Sequence, residues 1–190
     1  MTTAAAPEHR IPTADEENRL WALVEEAWSE ADDTVHAARR ALITRPLIDT
    51  DQSSSDDKEG RRLMLVVDAA ADAFIDTLTG LCVDLSSADL TDLDRVVERK
   101  LHDLDRADLH AVTDGSDDGF LYARAFILAV GRDYYSAVAA NPRLAVIDCD
   151  LEAMSYLFAH VHNRKFGSYP ETGSGISRET CANAAGWASS

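Results

Sequence analysis

Apolar residues recur along most of the chain at spacings of three and four, the period of one face of an α-helix. The clearest run follows Ser86, a suitable helix cap, and its apolar positions are Leu90, Leu93, Val97, Leu101 and Leu104. No segment alternates convincingly with the period of two that a half-buried strand requires. The pattern predicts an all-α fold, a compact single-domain array of about five to seven helices.

Capping and breaking residues set the bounds of the other predicted helices. Thr13 and Glu16 match a capping box, and the proline after Arg45 disfavours helix immediately before itself. Ser116 can cap a helix in the same way as Ser86. The predicted ranges are 13–45 with a possible kink near Asp32, 62–81, a segment from Ser116 to Ala140 with a bend at Gly131, and 149–165.

The helical pattern occupies residues 13–165, and three other segments differ from it in composition. Residues 1–12 are small and polar, which predicts a flexible tail. Residues 47–60 contain a cluster of serine and aspartate, which predicts a solvated loop insertion. Residues 166–190 are rich in glycine, serine and threonine, and the prediction for them is an irregular C-terminal tail.

The balance of charge is unusual, because 34 acidic residues face 18 basic ones and give a formal net charge of −16. Nucleic-acid binders need clustered Lys and Arg, so nucleic acid is not an expected partner. The same field disfavours anionic membrane surfaces and favours a basic protein, a basic peptide or metal ions. The alternative is that the acidic excess only keeps the protein soluble.

The three cysteines, Cys82, Cys149 and Cys181, are widely spaced and form no CxxC pair. Neither a zinc ribbon nor a redox dithiol is therefore indicated, and free thiols suit a reducing cytosol. The apolar stretches are shorter than the roughly 20 residues of a membrane-spanning helix. The first ten residues also lack the apolar run of a signal peptide, and we expect a cytoplasmic protein that is not inserted in a membrane.

The segment Ser116–Gly131 reads Ser-Asp-Asp-Gly-Phe-Leu-Tyr-Ala-Arg-Ala-Phe-Ile-Leu-Ala-Val-Gly. It resembles the core of a bacterial family catalogued as domain of unknown function 4240, which reads roughly Ser-Asp-Asp-x-Phe-x-x-Phe-Arg-x-Trp-Leu-Ile-x-x-Gly. The Leu20–Glu25 stretch, Asn141-Pro142 and Leu151-Glu152 are similar to other parts of the family in the same order. The resemblance spans roughly residues 18–165, with an insertion near 47–60, and it implies a fold without naming a reaction.

The start of the Ser116 helix supplies the first candidate chemical group. Asp117 and Asp118 complement the positive end of the helix dipole, which explains them structurally. The functional alternative is that Asp117 and Arg124, which share one helix face, form part of a site. Arg124 lies between apolar neighbours, so we expect it to be partly buried and paired with a carboxylate, either as a structural strut or as part of a site.

The last predicted helix supplies the second candidate group, Glu152, Tyr156 and His160, which are four residues apart and therefore share a face. An acid, a phenol and an imidazole in line can transfer protons or hold a metal. The alternative is a polar helix flank with an exposed histidine. His160 and His162 do not form a metal pair, because residues two apart on a helix point in nearly opposite directions.

Asp68, Asp72 and Asp76 form an acidic ladder on the second predicted helix. Like charges four residues apart cost a few tenths of a kcal/mol per pair, which a basic partner would relieve. The alternative is a solvated helix face. No comparable acidic helix is present to complete a two-metal site, and the sequence predicts neither a metal site nor a cofactor.

These patterns leave two hypotheses. The first is a non-catalytic, acidic helical binding protein that docks a basic protein or peptide through Asp68, Asp72 and Asp76. The alternative is a small enzyme with a polar pocket formed by five side chains, namely Asp117, Arg124, Glu152, Tyr156 and His160. Convergence of those five on one cavity would favour the enzyme, and dispersal would favour the binding protein.

Overall fold

The computed structural model describes residues 9–47, 57–113 and 115–188. In these ranges the protein consists of eleven α-helices and one 3-10 turn (Pro142–Leu144), without a β-strand, which confirms the predicted all-α class. The helices are α1 (Ala14–Trp28), α2 (Asp33–Thr44), α3 (Lys58–Asp68), α4 (Ala71–Leu81), α5 (Ser87–Asp103), α6 (Ala107–Thr113), α7 (Asp117–Val130), α8 (Arg132–Ala140), α9 (Glu152–Ser155), α10 (Leu157–Phe166) and α11 (Ala184–Trp187). Most of the predicted tail (1–12) and of the predicted loop (47–60) lies outside the described residues.

The prediction of five to seven helices is wrong, because several continuous patterns are divided into two helices. Asp32 caps α2 through bonds from two backbone N–H groups and separates it from α1. Ala69 and Ala70 form a tight turn between α3 and α4, and Tyr156 interrupts the predicted last helix between α9 and α10. Neither Gly nor Pro marks these last two breaks. The short helices α6 and α11 add two more elements that periodicity did not indicate.

Helices α5 and α7 lie at the centre of the fold. Helix α5 packs against α1, α7, α9 and α10, while α7 packs against α5, α6, α8 and α9. Every residue of α7 from Ala123 to Val130 is buried, because this helix is apolar on all sides except at Arg124. The apolar side of α5 predicted from spacing, Leu90 to Leu104, is fully buried against these neighbours.

The buried C-terminus of α7 has its free carbonyl groups satisfied by side chains from α1 and α2. The indole of Trp28 donates to the Ala129 carbonyl at 2.8 Å, and Nε of Arg39 donates to the Val130 carbonyl at 2.8 Å. Gly131 then turns the chain with φ of +123°, and a Cβ there would lie 2.6 Å from Oε1 of Glu25. The bend predicted at this glycine is therefore required by both conformation and space.

Candidate functional site

Ser116 begins α7 as predicted, since its hydroxyl accepts a hydrogen bond from the backbone N–H of Gly119 at 3.2 Å. Asp117 and Asp118 occupy the first helical turn with exposed side chains. The backbone carbonyl of Asp117, rather than its carboxylate, accepts a bond from the hydroxyl of Thr180 at 2.6 Å. The two carboxylates thus lie where the helix dipole stabilises them.

Arg124 is fully buried, and its guanidinium binds neutral acceptors instead of the expected carboxylate. It donates to the carbonyls of Leu101 at 2.8 Å and Phe120 at 3.3 Å, and to the Thr180 hydroxyl at 3.1 Å. No carboxylate of the described residues lies within 4.0 Å of it, so the predicted pairing with a carboxylate does not form. Burial lowers the pKa of Arg124 to about 10, which leaves it charged at neutral pH.

The C-terminus of α5 explains why a cation is buried at this point. The last four carbonyls of a helix have no partner within it and carry partial negative charge. Three successive carbonyls of α5 are satisfied by side chains: Lys100 by the hydroxyl of Tyr135, Leu101 by Arg124, and His102 by the amide of Asn183. Arg124 therefore links the C-terminus of α5 to α7.

The C-terminal segment, residues 167–188, continues the same pattern of polar contacts. Asp105 follows α5, is fully buried, and accepts three hydrogen bonds from this segment. The donors are the backbone N–H groups of Cys181 at 3.1 Å and Asn183 at 2.8 Å, and the indole of Trp187 at 2.9 Å. These bonds attach the segment to the helical core.

A buried ion pair attaches the C-terminal segment to the middle of α5. Arg178 donates to both carboxylate oxygens of Asp94, at 3.2 and 3.0 Å, and the two side chains are 6% and 4% exposed. The Arg178 guanidinium lies 4.7 Å from the centre of the Tyr156 ring and also donates to the Ser155 carbonyl. One turn after Asp94, the carboxylate of Glu98 accepts bonds from the hydroxyls of two segment residues, Thr172 and Ser174.

The break at Tyr156 separates the predicted row of Glu152, Tyr156 and His160. Glu152 is exposed at the start of α9, while His160 lies on α10 with its ring 6.1 Å from that of Tyr156. The Tyr156 hydroxyl donates to the carboxylate of Glu179. Burial and this bond raise the pKa of Tyr156 to about 12, so it is a neutral hydrogen-bond donor at physiological pH.

Tyr156 and His160 line an open cleft of about 710 Å³, which we term the C-terminal cleft. Its walls are the exposed side of α10 and residues 169–179 of the C-terminal segment, and Asp94 and Glu98 of α5 contribute to its lining. The other predicted candidates, Asp117, Asp118, Arg124 and Glu152, are not among its lining residues. The five side chains of the enzyme hypothesis thus do not converge on this cleft.

Sequence reasoning missed the three charged residues that organise this cleft. Asp94 and Glu98 interrupt the apolar pattern of α5 at spacing four, and a charged residue between Leu93 and Val96 is a signal that was present in the sequence. Arg178 carried no such signal, since it lies in a segment without helical periodicity. Only the fold brings it to Asp94, 84 residues earlier in the chain.

The acidic ladder is divided between two helices. Asp68 is the last residue of α3, whereas Asp72 and Asp76 lie on α4, and all three are exposed. Burial raises the pKa of Asp68, and the carboxylates of Asp150 and Asp72 raise it further. The predicted cluster of like charges is thus extended by Asp150, which the sequence did not place there.

A groove of about 530 Å³ lies beside Asp68, between the start of α2 and the end of α3. Leu65, one turn before Asp68 and 57% exposed, lines it together with Val66, Ala69 and Ala70, and the charged side chains of Asp32 and Arg62 complete the lining with residues of α2. We define the α3 face as Leu65 and Asp68 of α3, Ala69 of the turn that follows, and Asp72 and Asp76 of α4. An exposed apolar side chain therefore lies next to the acidic cluster.

Within residues 9–47, 57–113 and 115–188, no group of three or more His, Cys, Asp or Glu side chains is placed to hold a metal ion. None of the helices described is both long and apolar enough to cross a membrane. The three cysteines are free, with Cys82 and Cys149 buried and Cys181 exposed.

The fold and these contacts define an all-helical protein with buried charged side chains at its helix ends. The family model described as "Protein of unknown function (DUF4240)" matches residues 47–164, and the chain belongs to this family. The match includes Ser116–Gly131 and α5, whereas Leu20–Glu25 and the C-terminal segment lie outside it. Searches of the curated proteins and of the solved structures find no match to this chain.

Proposed function

We propose that the protein is a non-catalytic binding protein that docks a basic, amphipathic segment of a partner protein on its α3 face. The observation that carries this proposal is the position of Leu65, a 57% exposed side chain that lines a groove one helical turn before Asp68, whose carboxylate lies near that of Asp72. An apolar anchor surrounded by like charges fits a partner with the opposite charge and a matching apolar side chain.

The electrostatics of the whole chain support the same partner. A formal net charge of −16 raises the local concentration of cationic partners and their rate of encounter. Locally, the pKa of Asp68 is raised by burial and by two neighbouring carboxylates, so a cation that binds there relieves repulsion. A lysine or arginine of the partner near Asp68 and Asp72, with a leucine or similar residue in the groove, satisfies both features.

The dispersal of the enzyme candidates also supports binding over catalysis. Proton transfer requires an acid and a base within hydrogen-bond reach of one substrate position. Of the five enzyme candidates, Tyr156 and His160 line the C-terminal cleft, while Arg124 donates to three neutral acceptors in the core. Asp117 and Glu152 are exposed on α7 and α9.

The test is a titration with a synthetic helical peptide that carries lysines on one side and leucines on the other. Affinity is expected to fall steeply as salt rises, because exposed charges interact over about 8 Å at physiological ionic strength. The triple variant Asp68→Asn, Asp72→Asn, Asp76→Asn is expected to slow association more than it speeds dissociation. Leu65→Ser is expected to speed dissociation instead.

The matched control is Glu30→Gln, Asp118→Asn, Asp133→Asn, which removes three exposed carboxylates from other elements. If the α3 face is the docking surface, this control retains most of the association rate. Equal slowing by both triple variants would reduce the effect to net charge alone and contradict the proposal. Affinity that is independent of salt and unchanged in the α3 variants would contradict it as well.

A further inference from the structure

The C-terminal cleft lies on different elements from the α3 face and has its own chemistry. One wall carries Tyr156 and His160, and the opposite wall carries Tyr169. The ring centres follow one another at 6.1 Å from Tyr156 to His160 and 6.0 Å from His160 to Tyr169. Tyr169 is 59% exposed, so an aromatic ring surface is available to a ligand.

The charge of the cleft is negative. Four carboxylates line it, those of Asp94, Glu98, Glu171 and Glu179, against the single guanidinium of Arg178. Arg178 pairs with Asp94, and Glu98 is hydrogen-bonded to hydroxyls of the C-terminal segment. The side chains of Glu171 and Glu179 remain exposed, and Glu179 is held in place by the Tyr156 hydroxyl.

Aromatic rings and carboxylates around one open volume are the combination that binds organic cations. The face of an aromatic ring attracts a cation electrostatically, and the attraction is stronger where the cation is desolvated. A carboxylate adds a charge-assisted hydrogen bond. The volume of about 710 Å³ is within the usual range for small-molecule sites.

The protein's own Arg178 demonstrates this chemistry in the cleft. Its guanidinium lies 4.7 Å from the centre of the Tyr156 ring while it binds both oxygens of Asp94. Tyr169 and Glu179 offer the same two kinds of contact, an aromatic face and a carboxylate, without an internal cation over the Tyr169 ring among the described residues.

We infer that the C-terminal cleft is a binding site for an organic cation, a guanidinium or ammonium group on an apolar stem, which lies against Tyr169 and pairs with Glu179. His160 forms the side of the site between the two tyrosines, and the stem packs on the apolar atoms of Ala159 and Ile176. This ligand chemistry is shared by a free amine or guanidine and by a lysine or arginine side chain of a protein.

The experiment is an NMR titration of the full chain with butylguanidinium, and with butylurea as the neutral molecule of nearly the same shape. Butylguanidinium is expected to shift the amide signals of α10 and residues 169–179, and butylurea to leave them unchanged. A capped tripeptide with a central arginine separates the two sources of the ligand. Binding of both cations would show that the site recognises the cationic group itself and does not require a peptide backbone. Binding of the tripeptide alone would show that the ligand is a side chain of a protein.

Two variants locate the site. Glu179→Gln keeps a hydrogen-bond acceptor for Tyr156 and removes the charge, and Tyr169→Leu keeps apolar bulk and removes the ring face. Each is expected to weaken butylguanidinium or tripeptide binding by about tenfold. The control Glu30→Gln removes an exposed charge outside the cleft and is expected to leave affinity unchanged.

The inference is overturned if neither cation shifts the cleft signals, if butylurea binds as well as butylguanidinium, or if Glu30→Gln weakens binding as much as Glu179→Gln. Because Tyr169 and Glu179 are exposed, neither variant is expected to disturb folding. The result is also separate from the proposed function, since none of the α3 face variants lies in this cleft.

Discussion

Helix α7 and the C-terminal segment are both attached to α5, but by different kinds of contact. From Ala123 to Val130, α7 is buried almost entirely by apolar side chains. The C-terminal segment is attached through buried polar groups, chiefly Arg178 on Asp94 and the three donors on Asp105. Apolar packing tolerates swaps of similar volume, whereas a buried polar group that loses its partner keeps its full cost of desolvation.

Arg124 belongs to both regions, because it lies on α7 and binds a carbonyl of α5 and a hydroxyl of the C-terminal segment. Arg124→Ala is expected to lower the free energy of unfolding by about 3–5 kcal/mol, since it opens a cavity and leaves the Leu101 carbonyl without its donor. Urea denaturation measures the change. Arg124→Met, which refills part of the volume, is expected to lose less, and a fully stable Arg124→Ala would contradict the structural role.

Arg178→Ala tests the attachment of the C-terminal segment. Removal of one partner from a buried pair typically costs about 3 kcal/mol or more, because Asp94 then remains charged and unpaired or becomes hydrated by release of the segment. Amide hydrogen exchange is expected to become faster over residues 172–183, and the increase in exchange rate is expected to be smaller in α7. The control Arg62→Ala breaks an exposed pair with Glu59 and is expected to leave the free energy of unfolding almost unchanged, because solvent screens such a pair. An equal loss of stability in Arg178→Ala and Arg62→Ala would contradict the difference between the buried and the exposed ion pair.

The Tyr156 phenol makes the attachment sensitive to alkaline pH. Its pKa is about 12 in the folded protein and near 10 in an unfolded chain. Between these values the unfolded chain binds fewer protons, so stability falls as pH rises from 10 to 12. The expected loss is about 1 kcal/mol after allowance for solvent screening. Tyr156→Phe should show a shallower alkaline decline in thermal unfolding, and an identical decline would contradict the assignment.

The last prediction concerns the reactivity of the three thiols, and labelling them is expected to change the stability of the protein least. Burial raises the pKa of Cys82 to about 11 and that of Cys149 to about 12, whereas Cys181 is exposed on the C-terminal segment. A thiol reagent at neutral pH is expected to label Cys181 alone in the native protein and all three cysteines in denaturant. Cys181→Ser is then expected to leave the native protein unlabelled. Rapid native labelling of Cys82 or Cys149 would contradict their burial.

The local features of the fold were readable from the sequence. Ser86 and Ser116 cap α5 and α7 as predicted, and the apolar positions of α5 point into the core. These outcomes depend on residues only three or four positions apart, so a helical pattern contains them. The interruption at Tyr156 was not readable, because its side chain meets Arg178 and Glu179, more than 20 residues later in the chain.

The candidate site shows the same division. The burial of Arg124 followed from its apolar neighbours, but its partners come from α5 and the C-terminal segment, and no carboxylate is among its hydrogen-bond acceptors. The row Glu152, Tyr156 and His160 assumed one unbroken helix. Tyr156 and His160 nevertheless line one cleft, because the C-terminal segment supplies its other wall.

The sequence by itself determined the helical class, the acidic charge, the principal caps and the apolar sides of the central helices. Each of these follows from composition or from periodicity within one element. Tertiary structure decided which buried polar groups meet, such as Asp94 with Arg178 and Asp105 with Trp187, and which exposed residues form a cleft. The physical reason is that a buried polar group needs a partner but does not specify where along the chain that partner lies.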